Sequence, residues 1–500
     1  MVYSLDYRAM TAAVPPSPPP RWARVVDVLC FLLIIVAAIV AVSGGFRLRA
    51  GSVRLALTSP LRLLVWALVL GAVRHALVRE PSAYRFLRSM AARLDTAPMR
   101  TAALVALGTR PAMFFVGYVS IFAFGYATGA RPPVRFFDNE LLNMPVRHDA
   151  GWYLQIAIYG YEYLGQLSTD VQQNIVFFPA FPLLMRGAAM LGGNTWLAHV
   201  LSGTIISLGA FVAGLAYFYA LARDYLDEAE AKTALWLLAA YPFALFYGAL
   251  YTESLFLLTA VGAFYHFRRK EWWRAAAWAC LAGLTRPNGF LLGAALGTLA
   301  ISPWLPSWLV GGTLEKTPRA PRPSRDGARE FTVAAIAPGL LVACAAGLGV
   351  LLYSAYVWSI TGDPLTWLKL HAAWGRRYTG LWYVVGARYA FITEQGWHLY
   401  MSNLHHDLLN ALGVFFVLAA AWPVSRRFGL AYAVFILINI LPPIASGELL
   451  SAGRFSAVLF PAFLWLAQAV SPESRAGWFA SFAAVQGLNA AMFYTWRQLF

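Results

Sequence analysis

The chain has 500 residues, a length that in a water-soluble protein would fill about three domains of about 150 residues each. Its composition excludes that architecture. Apolar residues make up 60% and charged residues 12% of the chain, against about 45–50% and about 25% in soluble proteins, and the mean hydropathy is +0.59. Lipid must be the solvent for most of the chain, with the backbone satisfied inside helices, so the fold class is an all-α polytopic membrane protein. The 39 Lys and Arg against 23 Asp and Glu leave +16, mostly arginine. In this setting the excess is an orientation signal and no sign of nucleic acid.

In chain order, Arg8, a Pro-rich run at 15–20, Arg21 and Arg24 precede the first apolar run and resemble a signal anchor; cleavage near 41–45 is the lesser alternative, because the run is long enough to span. Apolar stretches approaching the roughly 20 residues of a crossing fall at 25–43, 59–78, 111–130, 195–222, 234–249, 251–267, 275–285, 288–303, 331–357, 407–423, 428–444, 455–470 and 478–496, thirteen in all. With the N-terminus in the cytoplasm, the inner segments collect Arg79, Arg85, Arg88, Arg93, Arg100 and Arg110; Arg268, Arg269, Lys270 and Arg274; Lys316, Arg319, Arg322, Arg325 and Arg329; and Arg426 with Arg427. That distribution obeys the positive-inside rule.

The chain then divides into a cytoplasmic tail at 1–24, two N-terminal helices with a basic loop at 25–110, a first membrane module at 111–303, a basic cytoplasmic loop at 304–330, and a C-terminal module at 331–500. The stretches 275–285 and 288–303 are short and are interrupted by Pro287. They read as one kinked helix or as a hairpin with Thr285-Arg286-Pro287-Asn288-Gly289 at an outward tip, and the basic segments on either side favour the hairpin. Cys30, Cys280 and Cys344 sit inside apolar runs, where buried free thiols are found, and have no disulfide or zinc spacing.

Two extracytoplasmic loops are long, 131–194 and 358–406, and such loops contain helices or function. Residues 149–161 place Trp152, Tyr153, Ile156, Ala157 and Gly160 at helical spacing, as expected of a short interfacial helix. The second loop is rich in Trp, Tyr and Arg, which suits an interfacial belt and, as the less favoured reading, sugar stacking.

Ionisable residues at membrane depth cost several kcal/mol and usually have a functional cause. Asp149, Glu253, Arg286 and Arg454 all fall at the outer face in this topology. Each has a structural reading: an N-cap for Asp149, a helix cap for Glu253, snorkelling anchors for the two arginines. His148-Asp149 and His405-His406-Asp407 lack further ligands at a recognised spacing, so no metal and no cofactor is expected. A carboxylate that deprotonates an attacking hydroxyl, with arginines that bind a phosphate, suits transfer from a lipid-linked phosphosugar. No Walker loop or dinucleotide fingerprint is present.

The sequence resembles the PIG-V family of mannosyltransferases, polytopic glycosyltransferases of the GT-C class. The resemblance lies in Asp149-Ala150-Gly151-Trp152-Tyr153-Leu154-Gln155-Ile156-Ala157, then Gly160-Tyr161-Glu162, Phe177-Phe178-Pro179-Ala180-Phe181-Pro182, Thr252-Glu253-Ser254, Thr285-Arg286-Pro287-Asn288-Gly289 and Gly453-Arg454-Phe455. It covers about 131–465 and implies a GT-C fold, with 111–303 as the catalytic module and a polyprenyl-phosphate mannose as donor. The reaction it implies is inverting transfer to a hydroxyl of a lipid-linked, glycan or protein acceptor, outside the cytoplasm. Asp149 matches the family's acidic residue and would be the catalytic base, and Arg286 and Arg454 look like the donor-phosphate contacts. Tyr161 and Glu162 match motif positions without an assigned step; His148, Glu253 and Asn288 are further candidates, and Trp374, Arg377 and Trp382 are candidates for the acceptor face. His148 stands where relatives often have Trp, and Gly151-Trp152-Tyr153 also departs from the family pattern. Those departures bear on acceptor identity. The Ala, Arg and Trp richness points to a bacterial homologue in a plasma membrane. Rival readings are a protein O-mannosyltransferase, a transferase of another polyprenyl-linked sugar, and a lipid-linked sugar flippase. A flippase predicts repeated halves and mid-membrane charges, neither of which the sequence has.

Overall fold

The computed structural model describes residues 20–43, 46–50, 53–57, 59–78, 95–128, 135–167, 170–306, 333–446 and 449–499. The Pro-rich run and the basic segments at 79–93 and 316–329 lie outside the described residues. The chain divides into two compact units, Met1–Thr96 with Met190–Gly193, and Ala97–Ala189 with Asn194–Phe500.

The first unit pairs α1 (Arg21–Ser43) with α2 (Pro60–Leu77). Helix α2 starts where the sequence asks it to: Ser59 accepts the N–H of Arg62 and Pro60 occupies the first turn. An ion pair between Arg74 Nη2 and Asp27 at 2.7 Å ties the two helices together. Between them two antiparallel strands, β1 (Phe46–Ala50) and β2 (Val53–Leu57), pair Phe46 with Leu57 and Ala50 with Val53. The all-α expectation overlooked this hairpin, although Phe46-Arg47-Leu48-Arg49 has the period-two alternation of a strand.

The second unit is helical among its described residues. Its main elements are α3 (Ala97–Phe124), α4 (Ala150–Tyr159), α5 (Ala180–Leu191), α6 (Trp196–Ala222), α7 (Glu228–Ala240), α8 (Glu253–Arg268), α9 (Trp272–Thr285), α10 (Leu292–Ile301), α11 (Val333–Thr361), α12 (Leu381–Gln395), α13 (Trp397–Arg427), α14 (Leu430–Ala445), α15 (Ala452–Ala457), α16 (Pro461–Ala469) and α17 (Arg475–Tyr494). The core is a continuous apolar cluster drawn from α3, α6, α7, α8, α14 and α16, among others. Among the described residues five helices are long and apolar enough to cross a membrane: Pro60–Leu77, Ala97–Phe124, Trp196–Ala222, Ala334–Thr361 and Trp397–Arg427. The chain is an integral membrane protein.

Several expected stretches are broken into shorter pieces. Residues 234–249 comprise the end of α7 and a 3-10 turn at Ala244–Gly248, and 455–470 comprise the short helices α15 and α16. Such breaks leave backbone carbonyls without helical partners, and polar side chains satisfy them. Arg110, 4% exposed, donates to the carbonyls of Ala244 (2.5 Å) and Ala239 (2.6 Å); Gln486 donates to those of Ala239 and Tyr241, and Asn489 to that of Pro242. This corrects the sequence reading of Arg110 as a cytoplasmic-loop charge. Helix α3 begins at Ala97, fourteen residues before the apolar run that marked it, so Arg100 and Arg110 both lie within the helix.

At the 285–289 tip the chain turns and does not continue as one kinked helix. Arg286 is extended (φ −148°, ψ 153°) and a 3-10 turn follows at Pro287–Leu291. Helices α9 and α10 then both pack along α11. A Cβ at Gly289 would lie 2.0 Å from the Ala282 carbonyl oxygen, so only glycine allows the fold-back. The cysteines differ from expectation: Cys344 is exposed at the protein surface, while Cys30 and Cys280 are half-buried. On an apolar helix, a thiol facing lipid incurs no burial penalty.

Candidate functional site

Asp149 is held by the turn that precedes it. Arg147, 1% exposed, donates through Nη1 to the Asn143 carbonyl (2.9 Å) and through Nε to the Tyr494 carbonyl (3.2 Å), and pairs with Glu140 at 3.2 Å. Its own carbonyl accepts the hydroxyl of Tyr251 (3.1 Å), and that hydroxyl accepts the Asp149 N–H (3.1 Å). His148 adopts φ +51° and packs its ring on Phe493 and Trp496. Burial pulls its pKa down to about 4 although Asp149 opposes the shift, so the ring is neutral at pH 7. Asp149 stands at the N-cap position of α4 but is helical itself (φ −60°) and makes no capping bond. The capping explanation for this carboxylate is therefore excluded. Helix α4 itself buries Tyr153, Leu154, Ile156 and Ala157 in the core.

Glu253 begins α8 and is 1% exposed; the N-cap position of that helix is Thr252, whose side chain makes no capping bond. It bridges the two arginines: Oε1 lies 3.4 Å from Arg286 Nη1 and 3.2 Å from Arg454 Nε. Arg454 in turn donates through Nη1 to Asp149 Oδ2 at 2.9 Å. The four charges picked from sequence thus form one chain, Asp149–Arg454–Glu253–Arg286, assembled from residues up to 305 positions apart. Aromatic rings wall the guanidinium groups, with Phe246, Tyr251 and Phe455 around Arg454, and Phe256 and Phe455 around Arg286. Burial works against the charge on Arg454, but Glu253 and then Asp149 outweigh it and the pKa rises. Arg286 is less well compensated: burial lowers its pKa and Glu253 only partly offsets that.

The chain of charges is not saturated. Glu253 Oε2 and Arg286 Nη1 are buried without a hydrogen bond among the described residues, a state that costs about 1–3 kcal/mol per group. Asp149 keeps 25% of its side chain exposed, and its Oδ1 has no hydrogen-bond partner among the described residues. One turn along α4, Trp152 stacks on Phe177 (5.8 Å, 18°), and Trp374 meets both edge-on. A carboxylate oxygen open to a hydroxyl, a guanidinium nitrogen of Arg286 without a hydrogen bond among the described residues, and a partly exposed aromatic corner suit a phosphorylated sugar.

Residues 133–301 match the family model described as Mannosyltransferase (PIG-V). That segment of the chain is similar to the PIG-V mannosyltransferases. The matched family is one of glycosyltransferases. No curated protein and no solved structure matches the chain. The matched segment contains Asp149, Glu253 and Arg286, whereas Arg454 and Trp374 lie beyond it, and the tertiary contacts join them to the rest.

The other sequence candidates divide. Tyr161 donates to the Phe177 carbonyl (2.8 Å) and supports the aromatic corner from beneath. Glu162 is exposed and engages only its backbone N–H, with Asn174. Asn288 turns to Asn439 (2.9 Å) and away from the carboxylates. Arg377 is exposed, as is Trp382 at 85%, so of the expected acceptor face Trp374 alone makes contact with the aromatic corner. Asp407 is taken by Arg388 at 2.9 Å. Among the described residues no group of three or more His, Cys, Asp or Glu is placed to hold a metal ion. Sequence reasoning did not single out Arg147 and Tyr251 as site residues; their position two residues before Asp149 and Glu253 was the available signal.

Proposed function

We propose that this chain transfers a mannosyl residue from a polyprenyl-phosphate mannose to an acceptor hydroxyl, with inversion, on the extracytoplasmic side of a bacterial plasma membrane. The scaffold in this reading is a GT-C fold of about thirteen crossings, the shorter helices included. The observation that carries it is the Asp149–Arg454–Glu253–Arg286 chain, whose two carboxylates and two guanidiniums sum to zero charge while leaving Arg286 Nη1 without a hydrogen bond. The donor phosphate takes the guanidiniums of Arg454 and Arg286 and displaces Asp149 from Arg454. The acceptor hydroxyl donates to Asp149, and its oxygen bonds to the anomeric carbon as the bond from that carbon to the phosphate oxygen breaks. The hydroxyl proton passes to Asp149, and the polyprenyl phosphate departs with the electron pair. Charge on that phosphate peaks in the transition state, where preorganised arginines contribute most. Trp374, with Trp152 and Phe177, provides the face for the acceptor.

A protein O-mannosyltransferase or a transferase of another polyprenyl-linked sugar would use the same groups, and the acceptor panel separates them. Purified protein is given labelled polyprenyl-phosphate mannose with lipid, glycan and peptide acceptors. Asp149→Asn is expected to lower transfer by about a hundred- to ten-thousandfold; transfer equal to wild type refutes the base assignment. Unchanged donor affinity in both Arg286→Ala and Arg454→Ala refutes the phosphate assignment. Movement of intact donor across the membrane with no transfer product would favour a flippase.

A further inference from the structure

The residue that reaches Asp149 sits on a helix too short to hold itself. Helix α15 spans six residues, Ala452–Ala457, and is entered through Ser451 at φ +66°. An isolated helix of that length is not stable, so the placement of Arg454 depends on what grips its backbone. The grip lies on the peptide groups flanking Gly453. The Gly453 N–H donates to Asn410 Oδ1 at 2.8 Å, and the Gly453 carbonyl accepts the Ser456 hydroxyl at 2.6 Å, which in turn meets Tyr241 at 2.7 Å. Phe243 fills the space beside the Gly453 Cα, and Gly413, one turn beyond Asn410 on α13, packs against the same Cα.

Asn410 is fully buried and engages both ends of its amide. Its Nδ2 donates to the His406 carbonyl (2.8 Å) and to the Leu499 carbonyl (3.1 Å), which leaves Oδ1 fixed in direction toward Gly453. Helix α13 is anchored one turn earlier, where Asp407 receives Arg388 from α12. The backbone of α13 departs from helical geometry just before this, at Leu404 (φ −127°, ψ 30°). A side chain that crosses from α13 to the residue next to Arg454, while held at two other points, fixes the origin from which that arginine extends.

We infer that Asn410 is a positioning residue for the transfer reaction, acting through Gly453 to hold the Arg454 guanidinium at the donor phosphate. The inference rests on the reading of Arg454 as a phosphate contact. A misplacement of about 1 Å at a reacting group costs about a hundredfold in rate, and loss of the Asn410 bond frees the N–H of Gly453, the residue that precedes Arg454.

The test is a double-mutant cycle on the full chain in detergent, reading kcat/KM for labelled polyprenyl-phosphate mannose. Asn410→Leu is expected to lower it about ten- to a hundredfold in the wild-type background and to produce no further loss in Arg454→Gln. Equal losses in both backgrounds, or no loss in the wild type, overturn the inference. If Arg454→Gln itself leaves kcat/KM unchanged, the phosphate assignment has failed instead, and the two failures are distinguishable. Asn410→Asp carries the test should Asn410→Leu not fold. A neutral carboxylic acid reproduces both the acceptor and the donor of the amide, whereas a carboxylate keeps only acceptors. Its activity relative to wild type is therefore expected to fall as pH rises, with no such fall in the Arg454→Gln background. A ratio independent of pH overturns the inference.

Discussion

Glu253→Gln isolates the electrostatic core of the site. The substitution keeps the volume and one oxygen but removes the carboxylate that, among the described residues, faces both arginines. In wild type Arg286 Nη1 and Arg454 Nε lie 3.4 Å and 3.2 Å from the same oxygen, so the two nitrogens are no more than 6.6 Å apart. At an effective dielectric of about 20, like charges at that separation repel by about 2.5 kcal/mol, and their screening anion has gone. Removing one member of a buried ionic group costs about 3–5 kcal/mol, which is about two to three and a half orders of magnitude in the folded-to-unfolded ratio at about 1.4 kcal/mol per tenfold. Denaturation of the purified protein in detergent should show this loss. The formal charge of the four-residue site rises from zero to +1, so inorganic phosphate should stabilise Glu253→Gln more than wild type. Adding Arg286→Gln should restore part of the stability. A Glu253→Gln protein that denatures with wild type, or phosphate stabilisation equal in both, would refute the account of Glu253 as the neutralising bridge.

Two further outcomes follow from the same contacts. His148, with its pKa lowered from 6.5 to about 4 by burial, binds its proton in the unfolded chain before it does in the folded one. Stability should fall as pH drops from about 6.5 to about 4, by about 3 kcal/mol in total, and His148→Phe should remove that component from the denaturation profile; an unchanged profile contradicts the burial argument. In Gly453→Ala the new Cβ would lie 2.1 Å from Phe243 Cζ. Overpacking of that kind costs about 1–3 kcal/mol, and Phe243→Leu should relieve it in the double variant, as read by thermal denaturation.

Hydropathy is a property of the chain in one dimension, so the membrane class and the places where apolar runs are interrupted were legible in sequence. The motif order from Asp149 through Glu253 and Arg286 was equally visible, because each lies at such an interruption. A count of crossings put all four charges at one face, and in the structure the four lie in contact with one another. What no count could supply is how they pair. Glu253 looked as much like a helix cap as a site contact, and the choice was decided by two arginines arriving from α15 and from the turn after α9. Arg110 shows the same limit from the other side. Beside a basic loop it reads as an orientation charge, yet it serves the open carbonyls of α7 and the following turn. Those carbonyls are a product of where the helix stops, which apolar composition does not record. Asn410 carries no signal at all within its apolar helix, since its importance lies in the direction of one amide oxygen. Sequence determined the solvent, the class of fold and the residue types available for chemistry. Tertiary structure alone decided which of them meet, because hydrogen bonds and ion pairs require distances near 3 Å between groups hundreds of positions apart.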